Sequence, residues 1–185
     1  MQKGLAVLRV RGELIKSASD EFDLSLNSPE DTDHPDAILY SPDTELFEKA
    51  NAWSVILDPE GKVKKPENKS ILFQDSEKTM AANSRKIFYR NGRPDLGALL
   101  RELAGLGILS VELSKNPQLF KDALSAGLVD SLVVHLPESY DTVQSLARIA
   151  KVHFREAGEV MHLKLSGLRL LDGNSRSLVA RVELC

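Results

Sequence analysis

The sequence predicts an α/β protein: a three-layer sandwich with helices on the faces of a mixed, mostly parallel sheet and an antiparallel hairpin near the C-terminal end. Two observations carry this prediction. Between positions 91 and 135 a short apolar strand lies between two amphipathic helix patterns, and another strand follows, which is the order of a parallel crossover unit. After position 160, two alternating stretches flank Asp172-Gly173-Asn174, a hairpin signal.

In the N-terminal half of the chain, the sequence predicts short strands separated by polar segments. Residues 5–10 form the first strand, and residues 11–35 form a polar loop or edge segment in which 21–26 alternate as a short strand. Further strands are predicted at 36–40, 53–57, 71–73 and 86–89. Pro42 and Asp43 open a predicted helix through Phe47 and Ala50, so the strands at 36–40 and 53–57 should be parallel.

The central helices have clear start and stop signals. Pro94 and Asp95 are predicted to lie in the opening turn of the first helix, which ends at Gly105 and Gly107. A strand at 108–112 follows, Asn116 and Pro117 begin the second helix, and a strand at 129–135 should complete a right-handed parallel crossover. A further helix, capped by Asp141, carries an apolar face of Val143, Leu146, Ile149 and Ala150.

Composition favours one soluble domain over residues 1–185 and excludes several classes of function. The net charge is −3 and aromatic residues make up 5% of the chain, so nothing indicates nucleic-acid binding. The chain has no apolar run near the ~20 residues of a membrane span and no signal-peptide pattern at its start. The single cysteine, Cys185, excludes an intrachain disulfide, and we expect a cytoplasmic protein.

The sequence offers few candidates for chemistry. Glu112 ends a predicted parallel strand, where it serves either a ligand or the following turn. A basic run either neutralises a phosphate or is a solvated loop; its lysines are Lys62, Lys64, Lys65 and Lys69. His153 and Glu156 have a spacing that would share a helix face, but no third ligand is visible, so no metal site is predicted. Phosphate-binding glycine loops and a nucleophile elbow are absent.

Several blocks resemble one family. Residues 92–111 (GRPDLGALLRELAGLGILSV), continued by Glu112 and by 125–130 (SAGLVD), resemble the C-terminal reductase domain of the bifunctional riboflavin-biosynthesis deaminase/reductase. The strands at 36–39 (DAIL) with Thr44, and at 55–58 (VILD) with Gly61, agree with it, as do the last strands. The resemblance implies a dihydrofolate-reductase-like fold, commonly a homodimer, that uses NADPH to reduce the ribosyl group of a phosphorylated aminopyrimidine to ribityl.

The departures from the family fall at the implied site. The Gly-x-Gly-Thr loop reads Ser41-Pro42-Asp43-Thr44, and Glu-Gly-Gly reads Glu112-Leu113-Ser114. The resemblance places the catalytic role on Glu112 and cofactor contacts on Ser41, Thr44, Leu113 and Ser114. The lost glycines and the added carboxylate oppose a close approach of phosphate. The zinc-deaminase signature is also absent.

Two hypotheses about function follow. In the first, the protein is a diverged NADPH-dependent pyrimidine reductase in which Glu112 orients the substrate or assists proton transfer, with Lys62, Lys64 or Arg85 holding the phosphates. In the second, it is a non-catalytic scaffold or binding subunit that has lost the dinucleotide site. A third altered site is the N-terminal strand, where Val10-Arg11-Gly12-Glu13 stands in place of the family's Ser-Leu-Asp-Gly. The three altered sites favour the second hypothesis, although the family's pathway gives the biological context.

Overall fold

The computed structural model describes residues 4–16, 21–26, 35–44, 51–75, 77, 80–136, 151–171 and 174–185. This part of the chain forms two helices, α1 (Leu96–Gly105) and α2 (Pro117–Ser125). Its strands are β1 (Val7–Lys16), β2 (Phe22–Leu26), β3 (Ala37–Tyr40), β4 (Trp53–Asp58), β5 (Ser70–Gln74), β6 (Arg85–Lys86), β7 (Tyr89–Arg90), β8 (Arg93–Pro94), β9 (Ser110–Leu113), β10 (Val129–His135), β11 (Lys151–Glu156), β12 (Glu159–Leu171) and β13 (Asn174–Leu184). No helix among these residues is long and apolar enough to cross a membrane.

The chain divides into two compact units. The first comprises Met1–Leu8 and Pro29–Asn116, and the second comprises Arg9–Ser28 and Pro117–Cys185. The boundary between Leu8 and Arg9 falls within β1, which continues to Lys16 through residues that the sequence predicted to be a polar segment. A single domain over residues 1–185 stays a prediction.

The first unit contains the parallel sheet, in the strand order β9-β3-β4-β5-β6. Leu39 of β3 pairs with Val55 of β4 on one side and with Leu113 of β9 on the other, and all three side chains are buried. Such continuous apolar runs are typical of strands covered on both faces. The parallel pairing of β3 and β4 confirms the prediction; the helix predicted after Thr44 falls at 45–50, outside the described residues.

The entry into α1 differs from the prediction. Asp95 is the N-cap, and its Oδ1 accepts a hydrogen bond from the N–H of Ala98 at 3.0 Å; Pro94 lies outside the helix and pairs with Tyr89 between β7 and β8. The reason is the Asn91-Gly92 turn, where both residues have positive φ (53° and 73°), because this conformation closes a two-residue hairpin. The same hairpin divides the single strand predicted at 86–89.

The second unit contains a closed six-stranded barrel, and the predicted three-layer sandwich is not confirmed. The strands pair in the order β1-β2-β11-β12-β13-β10, and β10 pairs back to β1. The β12–β13 pairing confirms the antiparallel C-terminal hairpin. Register shifts after Ser166 and after Leu170 interrupt this hairpin, and such irregularities bend strands so that a sheet can close on itself.

Two other sequence predictions change in the second unit. His153 and Glu156 lie on the strand β11 rather than a helix; a three-residue separation on a strand places them on opposite faces. The sequence also predicted a parallel crossover that joins the strands at 108–112 and 129–135. These strands are not neighbours in the structure, because β9 pairs with β3 and β10 pairs with β13. The helix predicted after Asp141 falls at 141–150, outside the described residues.

Candidate functional site

Polar side chains gather where the parallel strands of the first unit end. Ser41 follows β3, Asp58 ends β4, Gln74 ends β5 and Ser114 follows β9. Because β9, β3, β4 and β5 are mutually parallel, these four residues lie at the same edge of the sheet, which we call the carboxyl edge. Ligands of open α/β sheets bind at this edge.

The turn after β3 is held by a three-residue hydrogen-bond cluster. The hydroxyl oxygens of Ser41 and Thr44 are 2.8 Å apart. The side-chain amide of Asn116 donates to both, at 2.8 Å to Ser41 Oγ and 3.0 Å to Thr44 Oγ1. The N–H of Thr44 donates to the carbonyl of Ser41 at 3.0 Å. The two predicted cofactor contacts on this turn are therefore bonded to each other and to Asn116.

The turn after β4 is organised around the Asp58 carboxylate, which is fully buried. It accepts hydrogen bonds from the N–H groups of Lys62 (3.0 Å) and Val63 (2.8 Å) and from Nε2 of Gln74 (2.9 Å). Burial raises the pKa of Asp58, but these bonds, together with one from Gly61, outweigh burial, and the pKa lies below the ordinary value. Asp58 is thus an ionised structural group, and it accepts hydrogen bonds from the backbone N–H groups of its own loop.

The basic groups proposed for phosphate binding are engaged elsewhere. Lys62 Nζ lies 2.7 Å from a carboxylate oxygen of Asp43 and 2.9 Å from one of Glu60, and hydrogen bonds to Asp43 and then Glu60 raise its pKa. Lys64 Nζ donates to the carbonyl of Gly61 at 2.8 Å, and Arg85 pairs with Glu102. Two carboxylates therefore surround the lysine closest in sequence to the β4 turn.

The end of β9 carries the remaining predicted site residues. Glu112 is fully buried and in register with Ile38, while Leu113 packs in register with Leu39. The N–H of Ser114 donates to the carbonyl of Leu39 at 3.0 Å, and the N–H of Asn116 donates to the carbonyl of Ser114 at 2.6 Å. The Ser114 hydroxyl is buried and has no hydrogen-bond partner among the described residues. Buried hydroxyls are usually paired, so this one marks an unusual point of the edge.

The sequence prediction missed the residues that organise this edge. Asn116 carries an N-cap signal, which conceals its bonds to Ser41 and Thr44, 75 and 72 positions earlier in the chain. Gln74 lies one residue past the strand predicted at 71–73, yet it joins Asp58 to the carbonyl of Val63. The usable signal is topological: both residues lie at or within three residues after the end of a parallel strand.

Asn116→Ala should lower the free energy of unfolding by about 1–2 kcal/mol, because two hydrogen bonds are lost. Thr44→Val, which removes one acceptor without changing shape, should be non-additive with it by about 0.5 kcal/mol or more. Urea unfolding of the two single variants and the double variant measures this coupling. Additivity within ~0.3 kcal/mol would show that the cluster does not act as a unit.

One small cavity lies among the described residues of the first unit. A cavity of about 10 Å³ lies between Leu57, Phe73, Ile87 and Leu99, which is room for one water molecule. Across the part of the chain that the structure describes, no three His, Cys, Asp or Glu side chains are gathered for a metal ion.

Comparison with known proteins finds solved structures with a similar fold. No protein-family model matches the chain, and no curated protein is similar enough in sequence to match. Among solved structures, the Saccharomyces cerevisiae riboflavin biosynthesis reductase Rib7 superposes with a TM-score of 0.57 at 14% identity, covering 100% of this chain and 91% of Rib7. Acinetobacter baumannii RibD superposes with a TM-score of 0.51 at 16% identity, covering 100% of this chain and 59% of RibD.

These likenesses show the fold. The chain has a sheet-dominated α/β fold like that of the riboflavin-biosynthesis reductase Rib7 and of RibD, which confirms the fold relationship predicted from the sequence blocks. It spans about three fifths of the RibD chain. At 14–16% identity the likeness carries the architecture and leaves activity to be argued from the site.

Proposed function

We propose that this protein is a diverged relative of the riboflavin-pathway pyrimidine reductases that has lost the dinucleotide site and acts as a non-catalytic binding or structural subunit. The observation that carries this proposal is the use of backbone donors at the carboxyl edge. The N–H groups of Thr44, Lys62, Val63, Ser114 and Asn116 all donate within the protein.

NADPH does not fit these residues. A dinucleotide phosphate is held by backbone N–H groups that point at it from a turn or a helix N-terminus. Each donor turned toward a phosphate here would break an internal bond, and an unmet buried group costs roughly 1–3 kcal/mol. Opening the edge would therefore require reorganisation of the turns after β3, β4 and β9 together.

Charge opposes the cofactor as well. Asp43 lies in the turn that corresponds to the family's glycine loop, and with Glu60 it holds Lys62 in ion pairs. A phosphate brought to Lys62 must displace or face these two carboxylates, which repel it. Because Lys64 and Arg85 also have partners, the cations that could rebuild a phosphate site are committed to the protein's own groups.

A second candidate function is the reductase activity itself: NADPH-dependent reduction of a phosphoribosylamino-pyrimidine to its ribityl form. The observation that favours it is the Ser114 hydroxyl, which is buried beside the end of β9 without a partner among the described residues, next to a carboxylate two residues earlier. A bound ligand at this point would satisfy the hydroxyl, and Glu112 would then orient the substrate or assist proton transfer.

Nicotinamide fluorescence separates the two functions. We expect no saturable change with NADPH up to about 1 mM, which corresponds to binding weaker than about −4 kcal/mol, and no NADPH oxidation with an aminopyrimidine substrate. Saturable binding at micromolar NADPH would contradict the proposal. If turnover is found, Glu112→Gln should reduce it with folding unchanged, and equal turnover would remove Glu112 from the site.

The homodimer implied by the resemblance belongs to the same proposal. A non-catalytic subunit that retains the family's assembly should sediment at twice the 20.4 kDa mass of the chain. Sedimentation equilibrium measures this mass directly, and a monomer at micromolar concentration would remove the homodimer from the proposal.

A further inference from the structure

Three potential metal ligands lie side by side across the barrel of the second unit. His153 of β11 is in register with His162 of β12. Leu163 of β12 is in register with Leu184 of β13, so the next residue, Cys185, is opposite His162, and its N–H donates to the His162 carbonyl at 2.8 Å. Directly opposed residues of antiparallel strands project from the same face. His153, His162 and Cys185 therefore share one face of the barrel.

The register brings the two imidazoles especially close. The β11–β12 hairpin closes at Glu156 and Glu159 through the two-residue turn Ala157-Gly158, whose φ angles are 48° and 82°. Counting back from this closing pair, His153 and His162 form a non-hydrogen-bonded pair, the type in which side chains approach most closely. Their ring centroids are 4.8 Å apart, with the planes at 87°.

The carboxylate of Glu21 lies close to His153, the more buried of the two histidines. Oε2 of Glu21 lies 3.3 Å from Nδ1 of His153, whose side chain is only 11% exposed. Metal-binding histidines commonly present one ring nitrogen to a carboxylate, which orients the ring and makes the other nitrogen a better ligand. Nδ1 of His153 makes no hydrogen bond among the described residues and faces Glu21, which leaves Nε2 available to a metal, while His162 and Cys185 are exposed to solvent.

We propose that His153, His162 and Cys185 form a binding site for a late first-row divalent cation of the Zn²⁺ class. Imidazole and thiolate are the ligands that such cations prefer, and three protein ligands with one water complete a tetrahedral site. Among the described residues the three side chains are not gathered around one point, so binding requires them to reorient, and the exposure of His162 and Cys185 leaves these two side chains room to do so. Sequence spacing hides the site because His153 and His162 come from different strands and Cys185 follows a third strand.

The single cysteine of the chain gives this site a specific readout. The rate of alkylation by iodoacetamide reports on Cys185 alone. We expect saturating Zn²⁺ to slow alkylation of the wild-type protein by about tenfold or more, because a metal-bound thiolate is a poor nucleophile, and EDTA should restore the rate. Mg²⁺ at the same concentration should have no effect, since it prefers oxygen ligands.

Two variants test whether each histidine binds the metal. His162→Ala should weaken the protection by about tenfold or more in Zn²⁺ concentration, a loss of about 1.4 kcal/mol per decade. Because the His162 side chain is exposed, we expect this variant to fold like the wild type. His153→Ala should act similarly, with circular dichroism to check folding. Lys164→Ala, an exposed change on the same strand, is the matched control and should leave protection unchanged.

The outcomes are decisive in either direction. Protection that needs both histidines supports the site. An unchanged alkylation rate with Zn²⁺, equal protection in wild-type and His162→Ala proteins, or equal protection by Mg²⁺ would overturn it. None of these results depends on whether the carboxyl edge binds NADPH, so the site and the proposed function are tested separately.

Discussion

Phe120→Ala should lower the free energy of unfolding by about 3–5 kcal/mol, the range for an aromatic side chain removed from a core. Phe120 is fully buried on α2, and its ring meets that of Phe154 on β11 edge-on, with centroids 4.9 Å apart. The substitution leaves a cavity between the helix and the barrel strand in the second unit. Urea unfolding followed by circular dichroism measures the loss.

Two comparisons make the Phe120 result specific. Phe88→Ala removes the same side chain from a position that is 52% exposed, and it should cost clearly less, about 1 kcal/mol or below. Phe120→Ala and Phe154→Ala should be non-additive by about 0.5–1.5 kcal/mol, the value of an aromatic pair. A Phe120→Ala loss under about 1 kcal/mol would contradict the packing of α2 described above.

Asp58→Ala should lower the free energy of unfolding by roughly 3 kcal/mol, because three hydrogen-bond donors lose a buried acceptor at ~1 kcal/mol each. Those donors are the N–H groups of Lys62 and Val63 and the side-chain amide of Gln74. Glu60→Gln, an exposed change in the same turn, should shift stability by less than about 0.5 kcal/mol. A loss for Asp58→Ala as small as that of Glu60→Gln would contradict the structural role of Asp58.

Asp58 also predicts how stability depends on pH. Hydrogen bonding, opposed by burial, holds its folded-state pKa below the ordinary value of 3.8, so the unfolded chain takes up the proton first as pH falls. The contribution to stability is complete above about pH 4 and is lost as pH falls through the folded-state pKa. Asp58→Asn should therefore flatten the decline in stability below pH 4.

The flattening should be partial. Asp36 also has a lowered pKa, through hydrogen bonds from the N–H groups of Leu109 and Ser110, and it retains its own pH dependence in the Asp58→Asn protein. Urea unfolding at pH 6, 4, 3 and 2.5 compares the two proteins. Parallel curves for wild type and Asp58→Asn would remove Asp58 as a source of acid sensitivity.

The sequence predicted best where the physics is local. The Asn116-Pro117 start of α2 and the apolar faces of both helices follow from capping and 3.6-residue periodicity, and the structure confirms them. The parallel pairing of β3 with β4 follows from their order and separation in the sequence. The prediction that Pro94 lies in the first turn of α1 was wrong. The Asn91-Gly92 hairpin signal and the helix-start signal fall within the same five residues, and the chain forms the hairpin there.

Long-range closure could not be predicted in the same way. Alternating strands such as β12 and β13 are compatible with an open sheet or a barrel, and only the pairing of β10 with β1 decides between them. The carboxyl edge has the same limit: the departures at Ser41-Pro42-Asp43-Thr44 and Leu113-Ser114 were visible as lost glycines. Asn116 and Asp58 hold these turns through hydrogen bonds to residues distant in the sequence. Sequence patterns do not show such contacts.

The most direct test of a closed carboxyl edge is amide chemical-shift mapping with NADPH. Five N–H groups report on it, those of Thr44, Lys62, Val63, Ser114 and Asn116, and the Ala98 N–H, which donates to the α1 cap, is the internal control. We predict that all five resonances stay unchanged at about 1 mM NADPH. Saturable shifts at these amides, with Ala98 unaffected, would contradict the account and restore the dinucleotide site.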